Sequence, residues 1–211
     1  MRIQKTSRQP ASSGLLPGHL EDINRLSRAS LSAEEVYVFS LCLCDNEVDR
    51  DQERFPEKTL EQLAPLFVGK SGLFDHSWSA RGQAARLYRT EVVREPERLT
   101  QAGDGYCWLK GWAYMVRTPD NQGLIAEIEG GIKKEVSVGC AVKRAVCSIC
   151  GTDWTQHWCE HNRGQIYDEG MCIIILDEAV DAYEVSLLPV PAQPEAGVVK
   201  RYGGPEGPGS D

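Results

Sequence analysis

The segment Val36-Tyr37-Val38-Phe39-Ser40-Leu41-Cys42-Leu43-Cys44 decides how the rest of the chain is read. Apolar, aromatic and β-branched side chains fall on both phases of its period-two alternation, so both faces need cover. A strand of that kind belongs inside a sheet with packing above and below it. Before it, His19 to Arg28 reads as a short helix, and Ser32-Ala33-Glu34-Glu35 as a cap or a stub of helix. After it comes an acidic loop, Asp45 to Glu53, and then Glu57 to Phe67, where Leu60, Leu63, Ala64 and Phe67 recur at helical spacing.

Further along, Arg86 to Val93 and Tyr106 to Tyr114 read as strands around the polar turn Gly103-Asp104-Gly105. Trp108, Trp112 and Tyr114 alternate along the second of these, which points to core packing. Asp120 to Gly130 reads as a helix with Leu124, Ile125 and Ile128 as its stripe and Gly130-Gly131 as its stop. Glu135 to Val142, Met171 to Leu176 and Tyr183 to Leu188 return to strand, and Pro189, Pro191 and Pro194 end the last one. About six strands and two or three helices, not in strict βα alternation, predict an α+β fold. Its core is expected to be a mainly antiparallel β-barrel flanked by helices, with a small zinc-binding insertion.

The expected organisation is an N-terminal arm with a short helix over 1–33, a folded domain over 34–200 with the insertion at 145–170, and a disordered tail over 201–211. The tail is rich in Gly and Pro and has too few apolar residues to build a core. With 211 residues, 41% of them hydrophobic and 26% charged, the chain suits one soluble globular domain. A net charge of −8 opposes general binding to phosphate backbones, so nucleic acid is not an expected partner. No apolar run approaches the roughly 20 residues that cross a bilayer, and no apolar stretch follows Met1-Arg2-Ile3-Gln4-Lys5 as in a secretory signal. Neither a membrane nor an oxidising compartment is expected, and the eight cysteines read as buried side chains or metal ligands.

Cys147-Ser148-Ile149-Cys150-Gly151 is followed by Trp154, His157, Cys159 and His161, a C-x2-C-x8-C-x-H spacing. A Cys-x-x-Cys turn with Gly after the second cysteine wraps backbone around an ion, and Cys159 and His161 complete four soft or borderline donors. Tetrahedral Zn²⁺ is the natural occupant, held structurally because a full ligand set leaves no open position. His157 could replace His161, and Glu160 is a weaker substitute. Cys42, Cys44, Cys107, Cys140 and Cys172 read instead as small buried hydrophobes.

A second set of residues carries nucleophilic chemistry. Glu135-Val136-Ser137-Val138-Gly139 offers a serine among small and β-branched neighbours, and Leu73-Phe74-Asp75-His76-Ser77 a distant histidine. A serine hydroxyl needs a base, and imidazole titrates in the working range. His19 lies near the arm and His157 and His161 among cysteines, so His76 is the candidate base for Ser137. Alone, either residue is an ordinary structural one. The order of the motifs from about Val36 to Val199, with a helix ending in Gly131 before Val136-Ser137-Val138-Gly139 and a later Tyr183-Glu184-Val185-Ser186-Leu187-Leu188-Pro189, resembles the prohead (capsid-maturation) serine proteases of tailed bacteriophages, which are similar in fold to herpesvirus assemblin.

That resemblance implies Ser137 as nucleophile, His76 as general base and Glu184 as the third member, with Asp75 the runner-up and Glu135 on the serine's phase. It implies an endopeptidase acting on the major capsid protein and scaffold protein inside the assembling procapsid, in the host cytoplasm, with homo-oligomerisation left open. Two other readings stand beside it. One is a non-enzymatic zinc-bearing head or scaffold-interaction protein. The other is a metal-dependent nuclease using Asp75-His76 and Glu160-His161-Asn162. The stretch Asp45-Asn46-Glu47-Val48-Asp49-Arg50-Asp51 superficially suggests a calcium loop but lacks the turn Gly, and reads as a solvated loop.

Overall fold

The structure, a computed structural model, describes residue 15 and residues 17–202. The expected arm up to residue 14 and the expected tail from residue 203 lie outside the described residues. In chain order the elements are α1 (His19–Leu26), β1 (Val36–Asp45), β2 (Glu53–Arg54), α2 (Glu57–Phe67), β3 (Ser71–Phe74), β4 (Ala85–Leu99), β5 (Gly105–Val116), α3 (Gln122–Glu129), β6 (Val136–Cys147), β7 (Ile166–Tyr167), β8 (Gly170–Met171), β9 (Ile174–Leu187) and β10 (Gly197–Tyr202). The fold is α+β around a mostly antiparallel sheet.

Every residue of β1 is buried, as its two-sided apolar pattern requires. On one face Tyr37, Phe39, Leu41 and Leu43 pack with Leu60, Leu63 and Phe67 of α2, Ile125 and Ile128 of α3, and Val136 and Val185. On the other, Val36 and Val38 meet Ile23 of α1 with Tyr88, Trp112 and Tyr114. Each such side chain, fully buried, contributes roughly 1.5–3 kcal/mol before conformational entropy is set against it.

The strands run in the order β10-β1-β5-β4-β3-β9-β2, with β6 on the remaining edge of β9. β2 and β3 are parallel to β9, at Glu53–Arg54 against Ile174–Ile175 and at Ser71–Phe74 against Glu184–Leu187. The expected closed barrel is not formed. β10 follows β1 away from β6, and the two touch at a single bridge, Glu135 to Gly197, flanked by Val198 N–H to Lys134 O at 2.7 Å and Val136 N–H to Ala196 O at 3.3 Å. Beyond that point the edge of β6 opens onto a cavity of about 260 Å³ lined by Leu43, Asp49, Glu53, Ser137, Gly139 and Gln193.

Three further expectations are corrected. Met171 to Leu176 and Tyr183 to Leu188 are not separate strands: β9 runs unbroken from Ile174 to Leu187 through the polar stretch Asp177-Glu178-Ala179-Val180-Asp181. Bulges against β6 at Gly139/Cys140 and Ala141/Val142, with Glu178 at φ 57°, absorb the irregular pattern. The side chain of Gln62 in α2 accepts the Ala179 N–H at 2.9 Å where neither β2 nor β3 reaches. The Asp45 to Glu53 loop is also not solvated at its start. Asp45 and Asn46 are buried, Gln193 Oε1 accepts Asp45 N–H at 2.8 Å, and Asn46 Oδ1 accepts Cys107 N–H at 2.8 Å. Finally, Arg201 and Tyr202, assigned to the tail, pair with Phe39 and Val38 in β10.

Candidate functional site

The site is assembled on β9, the strand shared by β3 and β6. β3 runs parallel to it, with Leu73 opposite Ser186 and Phe74 opposite Leu187. The chain then turns sharply: Asp75 N–H bonds Leu187 O at 3.1 Å and Ser77 N–H bonds Phe74 O at 2.8 Å. Asp75 and His76 both adopt left-handed backbone, at φ 52° and 51°. Such conformations cost roughly 1–2 kcal/mol per residue, and persist where surrounding contacts enforce them. Here the contacts are those of the imidazole. The turn folds His76 back over β9, its N–H bonds Ser186 Oγ at 3.1 Å, and its Nδ1 lies 2.7 Å from Glu184 Oε1.

Glu184 is 3% exposed, and its other oxygen, Oε2, accepts from Ser186 Oγ at 2.5 Å. A carboxylate accepts only, so Nδ1 is the donor in this contact, and in the neutral imidazole the lone pair is on Nε2. The imidazole is exposed on that side, with 42% of its side chain accessible. It is Glu184, not Asp75, that bonds the ring. The carboxylate occupies this position because residue 139 is glycine: a Cβ there would lie 2.6 Å from Glu184 Oε1.

Ser137 stands directly opposite Ser186 in the antiparallel β6–β9 pair, and Gly139 opposite Glu184. Val136 and Val138 pack into the core, so Ser137 projects from the outer face that also carries Glu184 and Ser186. Opposed residues in such a pair have Cα atoms about 4.5–5.5 Å apart. Among the described residues no hydrogen bond joins Ser137 Oγ to His76. A cavity of about 260 Å³ reaches Glu184, lined also by Ser71, Leu73, Trp78, Gln83 and Tyr183, with the Trp78 and Tyr183 rings 5.6 Å apart. A larger cavity lies elsewhere, against α1. Lys143 and Arg144 do not face this site, being tied to Glu178 at 3.1 Å and Asp153 at 3.3 Å.

A second cluster forms where β6 ends. Cys147 N–H bonds Thr152 O and Gly151 N–H bonds Cys147 O, both at 2.9 Å, and Gly151 takes φ 73° to close the knuckle. The Sγ atoms of Cys147, Cys150 and Cys159 and a ring nitrogen of His161 all lie within 4.8 Å of one another. Tetrahedral zinc needs its sulfur and nitrogen donors about 3.6–3.8 Å apart, so a small contraction would suffice. His161 Nδ1 is buried with no hydrogen-bond partner, as a nitrogen held for a cation would be. Trp154 Nε1 donates to Cys159 Sγ at 3.2 Å. The Thr152 hydroxyl and backbone bring the Cys150 thiol down to about 6, while burial pushes Cys147 up to about 12. The Trp154 indole N–H lowers the Cys159 thiol, and the neighbouring sulfurs raise the His161 imidazole.

These residues can therefore hold a metal ion. His157 and Glu160 are exposed and stand outside the group. Cys172, read from the sequence as a buried hydrophobe, is fully buried, but its Sγ lies 3.7 Å from that of Cys147. The signal for this was its position at the mouth of the strand that pairs with Cys147. The two sites are far apart. Cys147 pairs with Ile174, ten residues from Glu184 along β9, a separation of roughly 30 Å in extended chain.

Comparison with known proteins finds no matching family model, no matching curated protein and no matching solved structure. Among the described residues, no helix is long and apolar enough to cross a membrane.

Proposed function

We propose that this protein is a serine endopeptidase in which Ser137 is the nucleophile, His76 the general base and Glu184 the group that orients and charge-balances the imidazole. One observation carries the reading: a half-exposed histidine bonded through Nδ1 to a buried carboxylate at 2.7 Å, on the sheet face from which Ser137 projects. His76 Nε2 takes the proton from Ser137 Oγ as the oxygen attacks the peptide carbonyl carbon. The C–N bond breaks, and the proton passes from Nε2 to the leaving amine. Water, deprotonated by the same nitrogen, then releases the acyl group from Ser137. The missing Ser137–His76 hydrogen bond is made when substrate binds, since such contacts are often long in resting enzymes. The motif order supports phage capsid and scaffold proteins as substrates, cut within the procapsid. Zn²⁺ is the proposed occupant of Cys147, Cys150, Cys159 and His161, where it would hold the excursion between β6 and β9 in shape.

The test is reaction with a fluorophosphonate, which phosphonylates activated serines. The expected result is a single adduct mapped by peptide mass spectrometry to Ser137, absent in Ser137→Ala and in His76→Ala. An unmodified protein, or an adduct elsewhere, overturns the proposal. The absent Ser137–His76 bond favours one rival, a zinc-bearing interaction protein without activity, and the same labelling separates the two. The nuclease reading is weaker, because Asp75-His76 and His161 belong to opposite ends of β9 and the four metal donors leave no open position.

A further inference from the structure

We infer that Ser186 is the positioning residue of the site, an internal clamp that sets the His76–Glu184 pair; the inference rests on the hydrolase reading for its kinetic consequence only. Ser186 has no exposed surface, and both capacities of its hydroxyl are used within the site. It donates to Glu184 Oε2 at 2.5 Å and accepts from the backbone N–H of His76 at 3.1 Å. One oxygen thus fixes the carboxylate that holds the ring and the strained backbone that carries it. Removing the hydroxyl leaves a buried carboxylate oxygen and a backbone N–H without partners, and frees the left-handed turn at Asp75-His76 to relax. Ser186 is not itself a nucleophile, since its proton is committed to Glu184 and no solvent reaches it. A serine packed merely for its size would have no reason to bond both partners. The sheet supplies the placement: Ser186 pairs with Leu73 on one side and Ser137 on the other, within the stretch Glu184–Leu187 that lies between both flanking strands of the site.

The experiment compares Ser186→Ala and Ser186→Thr with the wild-type chain by fluorophosphonate inactivation kinetics and by the downfield proton NMR resonance of His76 Nδ1–H, assigned by its loss in His76→Ala. A charge-assisted hydrogen bond controls a rate by roughly 10- to 100-fold. Ser186→Ala is expected to lower the limiting inactivation rate by that factor with little change in probe affinity, and to shift or abolish the resonance. Ser186→Thr, which keeps the hydroxyl, should recover much of both. Wild-type rate and an unmoved resonance in Ser186→Ala overturn the inference while leaving the hydrolase reading intact. If the wild-type chain takes no label, the hydrolase reading fails, and the resonance alone decides: moved in Ser186→Ala it supports the clamp, unmoved it refutes it. Should Ser186→Ala fail to fold, Ser186→Cys, which keeps the volume but donates weakly, carries the same two readouts.

Discussion

Single atoms decide the candidate site. A methyl group at residue 139 would stand 2.6 Å from Glu184 Oε1, a side-chain atom already bonded to His76 and closely tied, through its carboxylate, to Ser186. Gly139→Ala is therefore expected to separate stability from activity. The unfolding free energy should fall by only about 1 kcal/mol, because a side-chain tip can shift, while fluorophosphonate labelling slows at least roughly tenfold. Urea unfolding beside labelling kinetics checks it; equal losses in both would contradict it. Asp45 behaves differently. Burial holds its carboxyl above the ordinary 3.8, although Glu47 N–H and Tyr106 OH donate to it. Between the unfolded and folded values the native state binds more protons, so this group adds stability as pH falls through its raised pKa toward 3.8, and the increment is lost as pH rises. Asp45→Asn removes that dependence. Urea midpoints taken from neutral to acid should show the wild type gaining on the variant, and parallel curves would sink the assignment.

At the scale of elements, β9 is the organising feature. Its polar middle continues as strand because tertiary partners satisfy it, notably Gln62, whose Oε1 takes the Ala179 N–H. Gln62→Ala should cost about 1 kcal/mol for that unpaired donor, seen as a lower urea midpoint and faster hydrogen exchange at Ala179. The excursion between β6 and β9 is held by few apolar contacts, chiefly Cys147, Cys172 and Ile174 with Ile149, Trp154 and Tyr167 around them. With zinc as the proposed occupant, a strong chelator is expected to loosen that segment while the sheet survives. Fluorescence of Trp154 and Trp158, whose rings lie 4.8 Å apart, should change with far-ultraviolet circular dichroism largely kept. Cys159→Ser should lose the bound metal, and retention of a full equivalent would count against this ligand set. The periodicity of α2 and α3 and the two-sided pattern of β1 were readable directly. The continuity of β9 was not, because Asp177 to Asp181 has the composition of a loop and its partners come from α2 and from bulges in β6.

Over the whole molecule, the sheet stops short of a barrel at one seam. Gly197 lies against the Lys134 carbonyl, where a Cβ would approach to 2.8 Å of a backbone oxygen. Unlike the contact at Gly139, this one cannot yield by moving a side-chain tip. Gly197→Ala is expected to part β6 from β10 at a cost of roughly 1–3 kcal/mol, with hydrogen-exchange protection lost at Val136 and Val198. Unchanged protection there would show the seam to be unimportant. By itself the sequence determined which segments are apolar, and so the central strand, the main helices and the α+β class; it also marked Cys147, Cys150 and Cys159, with His161 or His157 as the fourth, as a group able to hold a metal ion, because they sit within fifteen residues of one another, and the structure brings His161 to the cysteines. Tertiary structure alone decided that the sheet stays open, that Cys172 lies beside Cys147, and that Ser186 bonds both His76 and Glu184. Those facts depend on strand register between segments distant in the chain, and register is set by packing and pairing across the whole fold, which no short pattern encodes.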